Sequence, residues 1–144
     1  MTNSSNAAAV AGRFLMSIIF LLAGLQKAGA FSDTVAYMAS EGLPMPEVAA
    51  VVAIVVECVG GLLVLIGYHA RVLGLALAVW CLATGLIGHS HFSDPDQIAH
   101  FLKNLAMGGG FLLLFAFGAG GWSVDEWRAT RSGRAKLLGK EHAW

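Results

Sequence analysis

Three ionisable residues of this chain sit where an oily sequence offers them little water. Between Val48 and Ile66 every residue is apolar or glycine except Glu57, and Lys27 and Lys103 lie near the ends of two other apolar stretches. A carboxylate in such surroundings either takes up a proton or keeps its charge beside a buried cation. Either way it can handle a proton, so Glu57 is the candidate catalytic residue. Ionisable groups inside a membrane point to ligand or proton sites with a definable partner. Pairing for structure alone is the rival reading.

The neighbouring pattern supplies the cations. Positions 13, 17, 20, 24 and 27 recur at helical spacing, so Arg13, Ser17, Phe20, Gly24 and Lys27 share one face. Arg13 and Lys27 are about 21 Å apart along a helix, less than the thickness of a bilayer core, which places at least one below the interface. Glu57 shares a face with Gly60, Gly61 and Val64, and small residues there let another helix approach closely. The stretch "FLKNLAMGGG" brings Lys103 and Asn104 one turn ahead of Gly108, Gly109 and Gly110. In an antiparallel bundle Lys27, His89, His91, Lys103 and Asn104 collect near the outer end, with Glu57 beneath them. The expected site is a polar pocket opening outward. Arg13, Lys27, His91, Lys103 and Asn104 are its candidate ligand-binding residues, and Gly24, Gly60, Gly61, Gly108 and Gly109 its helix-packing positions.

Two other chemistries compete. "GHSHFSDPDQIAH" concentrates His89, His91 and His100 with Asp94 and Asp96, side chains able to hold zinc or copper. On a helix His89 and His91 point to different faces, and "DPD" reads more simply as the start of the next helix, with Asp96 near its N-terminus. No metal is therefore assigned. Cys58 and Cys81 fall near the middle of two apolar stretches and could approach as a redox pair, but a thiol far from water is inert.

The elements that must position these residues follow from composition. Of 144 residues, 57% are hydrophobic and 12% charged, about half the charged share of a soluble domain. Four continuous apolar stretches are each long enough to cross a bilayer, which takes about 20 residues of helix, or about 17 at the short end. They do not alternate with period two, as barrel strands do. The expectation is an all-α, four-helix transmembrane bundle over 1–120, with helices near 8–30, 47–67, 70–89 and 100–119. A basic tail follows over 121–144. A small-residue pair at Ala28 and Ala30 imitates a signal-peptide cleavage site, but no basic residue precedes Arg13, so the first stretch is read as an uncleaved span.

Arg71, Arg128, Arg131, Arg134, Lys136 and Lys140 lie in the second connection or the tail, whereas the other connections carry Asp33, Glu41, Glu47, Asp94 and Asp96. The positive-inside rule puts both termini in the cytoplasm of a bacterial inner membrane. The formal net charge is zero, which gives no global attraction to nucleic acid. The tail favours membrane-surface attraction, with docking of a soluble partner as the sharper alternative.

From Arg13 to Gly110 the chain resembles the DoxX family of small bacterial membrane proteins. The resemblance rests on Arg13, Ser17, Phe20, Gly24 and Lys27 in order, then "ECVGGLLVLIG", His91-Phe92, Phe101-x-Lys103-Asn104 and Gly108-Gly109. The family usually has glycine where this chain has Ser17. The resemblance implies a four-helix inner-membrane protein related to the membrane subunit of thiosulfate:quinone oxidoreductase, with quinone as the cofactor in view. Nothing in the residues identifies thiosulfate as substrate. No nucleotide loop, flavin fingerprint or serine nucleophile motif appears. Three readings remain open: a quinone-facing or accessory subunit of an oxidoreductase, a small proton-coupled carrier, or a structural anchor for partner proteins. A protein partner or a homo-oligomer is expected alongside the lipid bilayer.

Overall fold

A computed structural model describes residues 2–89 and 92–141, with side chains through 133. Among the described residues there are six helices and no strand: α1 (Asn3–Gly29), α2 (Phe31–Ser40), α3 (Pro46–Ile66), α4 (Ala70–Gly88), α5 (Pro95–Phe117) and α6 (Val124–Glu141). Helices α1, α3, α4 and α5 are long and apolar enough to cross a membrane. Their outward faces carry large apolar side chains such as Leu15, Leu22, Val55, Val79 and Leu113, all exposed in the isolated chain. In lipid those faces need no further cover.

Local chemistry sets the boundaries. Thr2 caps α1 by accepting from the Ser5 amide. Gly67 ends α3 in the left-handed conformation at φ +68°, with the Tyr68 amide donating to the Leu63 carbonyl and its own amide to Val64. Asp94 accepts from the Asp96 amide ahead of Pro95, so α5 starts at Pro95 rather than near residue 100. The long connection between the first two spans contains the ten-residue helix α2. Thr34 stabilises its first turn by donating to the Ala30 carbonyl.

The bundle is built from two close pairs. α1 packs mainly on α3, and α4 on α5, while few contacts bridge the pairs. At Gly74 an added Cβ would meet the backbone of Phe111 and Phe115 at 2.8 and 2.7 Å, which shows how closely α4 and α5 approach. The pairs join through a core in the half nearer the termini, centred on Phe20, Val64, Leu77, Ala78, Phe111 and Leu114. Phe20 and Phe111 meet edge to face with centroids 5.2 Å apart. Toward the opposite end the space between the pairs is left as a cavity.

A stitched base closes the terminal end. Asp125 accepts from the His69 and Ala70 amides, both at 2.8 Å, and so caps α4, which has no side-chain cap of its own. The Asp125 amide donates in return to the Gly67 carbonyl. Asn6 accepts from the Gly121 amide at 2.9 Å. These bonds tie the first turn of α6 to the bundle.

Candidate functional site: a cavity above an intramembrane ion pair

The cavity has a volume of about 690 Å³ and is lined by α1, α2, α3, α4 and α5. Lys27, in the last turn of α1, donates to Glu57 of α3 at 2.8 Å. The Lys27 side chain is 31% exposed and that of Glu57 11%, so the carboxylate lies deeper and the ammonium faces the opening. Gly24 makes the pairing possible. A Cβ there would stand 2.6 Å from the Cys58 sulfur and 3.2 Å from the Glu57 Cβ, so only glycine lets α3 come this near below Lys27.

Lys103 and Asn104 of α5 line the same cavity, as does His89. Lys103 Nζ is 3.1 Å from His100 Nδ1, and the His100 ring stacks on His89 with centroids 5.0 Å apart. His89 Nδ1 in turn lies 2.8 Å from Gln97 Oε1. His91 lies outside the described residues. Among those described, no three His, Cys, Asp or Glu side chains converge in a way that could hold a metal ion.

Arg13 is placed elsewhere. Its guanidinium is buried at the terminal end of the bundle, donating to the Leu65 carbonyl at 3.1 Å and the Trp122 carbonyl at 2.6 Å. It ties α1 to the end of α3 and to the α5–α6 connection and does not line the cavity. Gly24, Gly60, Gly61 and Gly108 are buried between helices, whereas Gly109 has open space where a Cβ would go. Cys58 and Cys81 are free thiols, and Cys81 lines the cavity.

Sequence reasoning missed the roof. α2 contributes Asp33, Thr34, Tyr37 and Met38 to the lining, with Glu41 just beyond its end, and α4 contributes Trp80 and Thr84. The Tyr37 hydroxyl donates to the Gly88 carbonyl, strapping α2 to the far end of α4. Burial, and after it the Glu41 carboxylate, hold the Tyr37 hydroxyl above the usual phenol range, so it remains a donor. The signal was present in "TVAYMASE": positions 34, 37, 38 and 41 fall on one face of a helix.

The site is thus a largely apolar chamber with a cation and a carboxylate in contact at its floor and a second cation, Lys103, on its wall. It can accept an amphipathic molecule, donate to an oxygen of that molecule, and exchange a proton with it.

The model of the family described as DoxX matches residues 8–90. The chain is 38% identical over 120 residues to the inner membrane protein YphA of Escherichia coli (strain K12), an overlap covering 78% of this chain and 84% of that one. It is likewise 38% identical over 116 residues to the inner membrane protein YqjF of the same organism, covering 78% and 85%. No solved structure gives a significant match. With four membrane-spanning helices and these relatives, the protein is a multi-pass protein of the bacterial inner membrane. The chain belongs to the DoxX family.

Proposed function

We propose that this protein is a quinone-facing membrane subunit of an oxidoreductase system, with the cavity as its headgroup site. The observation that carries this reading is the Lys27–Glu57 contact of 2.8 Å at the floor of an apolar chamber. A quinone headgroup is flat and mostly apolar, with oxygens that need a donor when oxidised and an acceptor when reduced. Lys27 supplies the donor and Glu57 the acceptor, and the cavity lies within the roughly 300–1,000 Å³ typical of small-molecule sites. Trp80 and Tyr37 provide aromatic walls. The ion pair handles protons and hydrogen bonds, not electrons, so the electrons pass to or from a partner protein.

The test begins with purification of the full chain in a mild detergent and mass spectrometry of the proteins and lipid-soluble molecules that accompany it. A quinone or redox subunit in stoichiometric amount supports the reading. Titration with a short-chain quinone, followed by Trp80 fluorescence in a background lacking the other tryptophans, should saturate. Lys27→Met should weaken that binding by roughly tenfold or more, the worth of a hydrogen bond to a charged group. A clean preparation without quinone and a titration that never saturates would sink the proposal. Proton-coupled flux in liposomes would then establish the carrier reading. Unchanged partner assembly and activity in Glu57→Gln would instead establish the anchor.

A further inference from the structure

A second hollow, of about 460 Å³, lies at the opposite end of the bundle, between the start of α4, the end of α5 and the start of α6. We propose that it binds the phosphate of an anionic phospholipid from the cytoplasmic leaflet. Arg71 is the recognising group. Its Nη1 donates to the carbonyls of Phe115 and Ala116, at 3.2 and 2.7 Å, which fixes the plane of the guanidinium. Its Nε and Nη2 lie beside Gly118, 3.6 and 3.8 Å from where a Cβ would stand, and no protein acceptor among the described residues takes them. A guanidinium held on one edge and open on the other is prepared for a phosphate oxygen.

The rim argues for a lipid rather than a soluble anion. Val72 and Phe117 line the hollow and are 69% and 77% exposed, so the walls beside Arg71 continue directly into the apolar faces of α4 and α5. A headgroup resting on Arg71 therefore leaves its acyl chains along surfaces that already face lipid. Two carboxylates also line the hollow. Asp125 is engaged on both oxygens by the His69 and Ala70 amides. Glu126 is the opposing charge, and Arg128, whose Nη1 is 3.1 Å from His69 Nε2, stands at the same end as a second cation. Among the described residues Arg71 is thus the one arginine or lysine in the lining, and recognition rests on its open edge together with the apolar rim rather than on a net basic charge.

The full chain in mild detergent is titrated with dioleoyl phosphatidylglycerol, and bound lipids are counted by native mass spectrometry, with the phosphatidylcholine analogue as comparison. Phosphatidylglycerol should be retained preferentially. Arg71→Gln keeps a donor for the α5 carbonyls and should weaken retention roughly fivefold, the fold-change expected for one arginine at a membrane surface. Glu126→Gln removes the repelling charge and should tighten it, a gain that a misfolded variant cannot produce. Arg131→Gln, outside the hollow, should leave it unchanged. Equal retention of the two lipids overturns the proposal. So does an equal loss in Arg71→Gln and Arg131→Gln, which would mean diffuse surface attraction. Displacement of the lipid by inorganic phosphate at equal concentration would make this a free-phosphate site and overturn the lipid assignment.

Discussion

Lys27 and Glu57 hold each other in unequal surroundings, and that inequality sets what each substitution does. Removing one partner of a desolvated pair leaves the other charge uncompensated, which costs more than removing both. Lys27→Met should therefore lower the melting temperature in detergent more than the double variant Lys27→Met/Glu57→Gln does. The loss should stay below the roughly 3–5 kcal/mol of a fully buried pair, because the lysine is a third exposed. A double variant less stable than both single ones would show that the pair is not what holds α1 to α3 here. Tyr37 makes a second residue-scale case. Its folded pKa is raised, so the stability it adds is fully present below its unfolded pKa, near 10, and is lost as pH rises through the folded value. In a Tyr68→Phe background, phenolate absorbance should appear later than for a free phenol, and Tyr37→Phe should speed hydrogen exchange in α2. Unchanged exchange would mean that packing on α3, not the strap, holds the roof.

At the scale of elements, close approach decides which glycines matter. Gly74 faces the backbone of α5, so Gly74→Ala must push the α4–α5 pair apart, at roughly the 1–3 kcal/mol of an overpacked core. Gly109→Ala adds a methyl to open space and should fall within about 0.5 kcal/mol of the parent. Chemical denaturation of the two variants compares them directly, and equal losses would contradict the packing described here. α2 differs in kind from the spans. It has no buried residue, packs on α3 and is strapped across the cavity by the Tyr37 hydroxyl, so loosening it should leave the core intact.

At the scale of the whole molecule, the pairing of α1 with α3 and α4 with α5 explains why there is a cavity at all. The bulky residues that bridge the pairs, Phe20 and Phe111 foremost, lie toward the terminal end, and the Asp125 and Arg13 bonds close that end further. The outer half lacks such a bridge and stays open. The first turns of α1 and the start of α6 meet at one end, and by the positive-inside rule the charge distribution assigns that end to the cytoplasm. A cysteine introduced at Gly42 should react with a membrane-impermeant maleimide in spheroplasts, with Cys58 and Cys81 replaced. One at Ser132 should react only after permeabilisation. The reverse pattern would invert the topology and turn the cavity toward the cytoplasm.

Much of this was legible in the residues. Continuous apolar stretches with few charges have no stable solution in water, so four spans follow from hydropathy alone. Depth along a span follows too, because a helix rises about 1.5 Å per residue. That was enough to put Lys27, Lys103 and Asn104 at one level with Glu57 beneath. Rotation and neighbour choice are different quantities. Lys27 and Lys103 were equally good partners by depth, and only the approach of α3 to Gly24 brings the Lys27 ammonium into contact with Glu57. The partners of Arg13 could not be read either, because they are backbone carbonyls, which every residue carries, and only the fold says which ones are free and near. The roof was hidden for a similar reason. Its helical face shows in the residues, but its place above the cavity depends on Tyr37 reaching a carbonyl 51 positions away. Sequence determined the solvent, the spans and the depth of each charge; tertiary packing decided which charges meet, because contact depends on how helices turn toward one another.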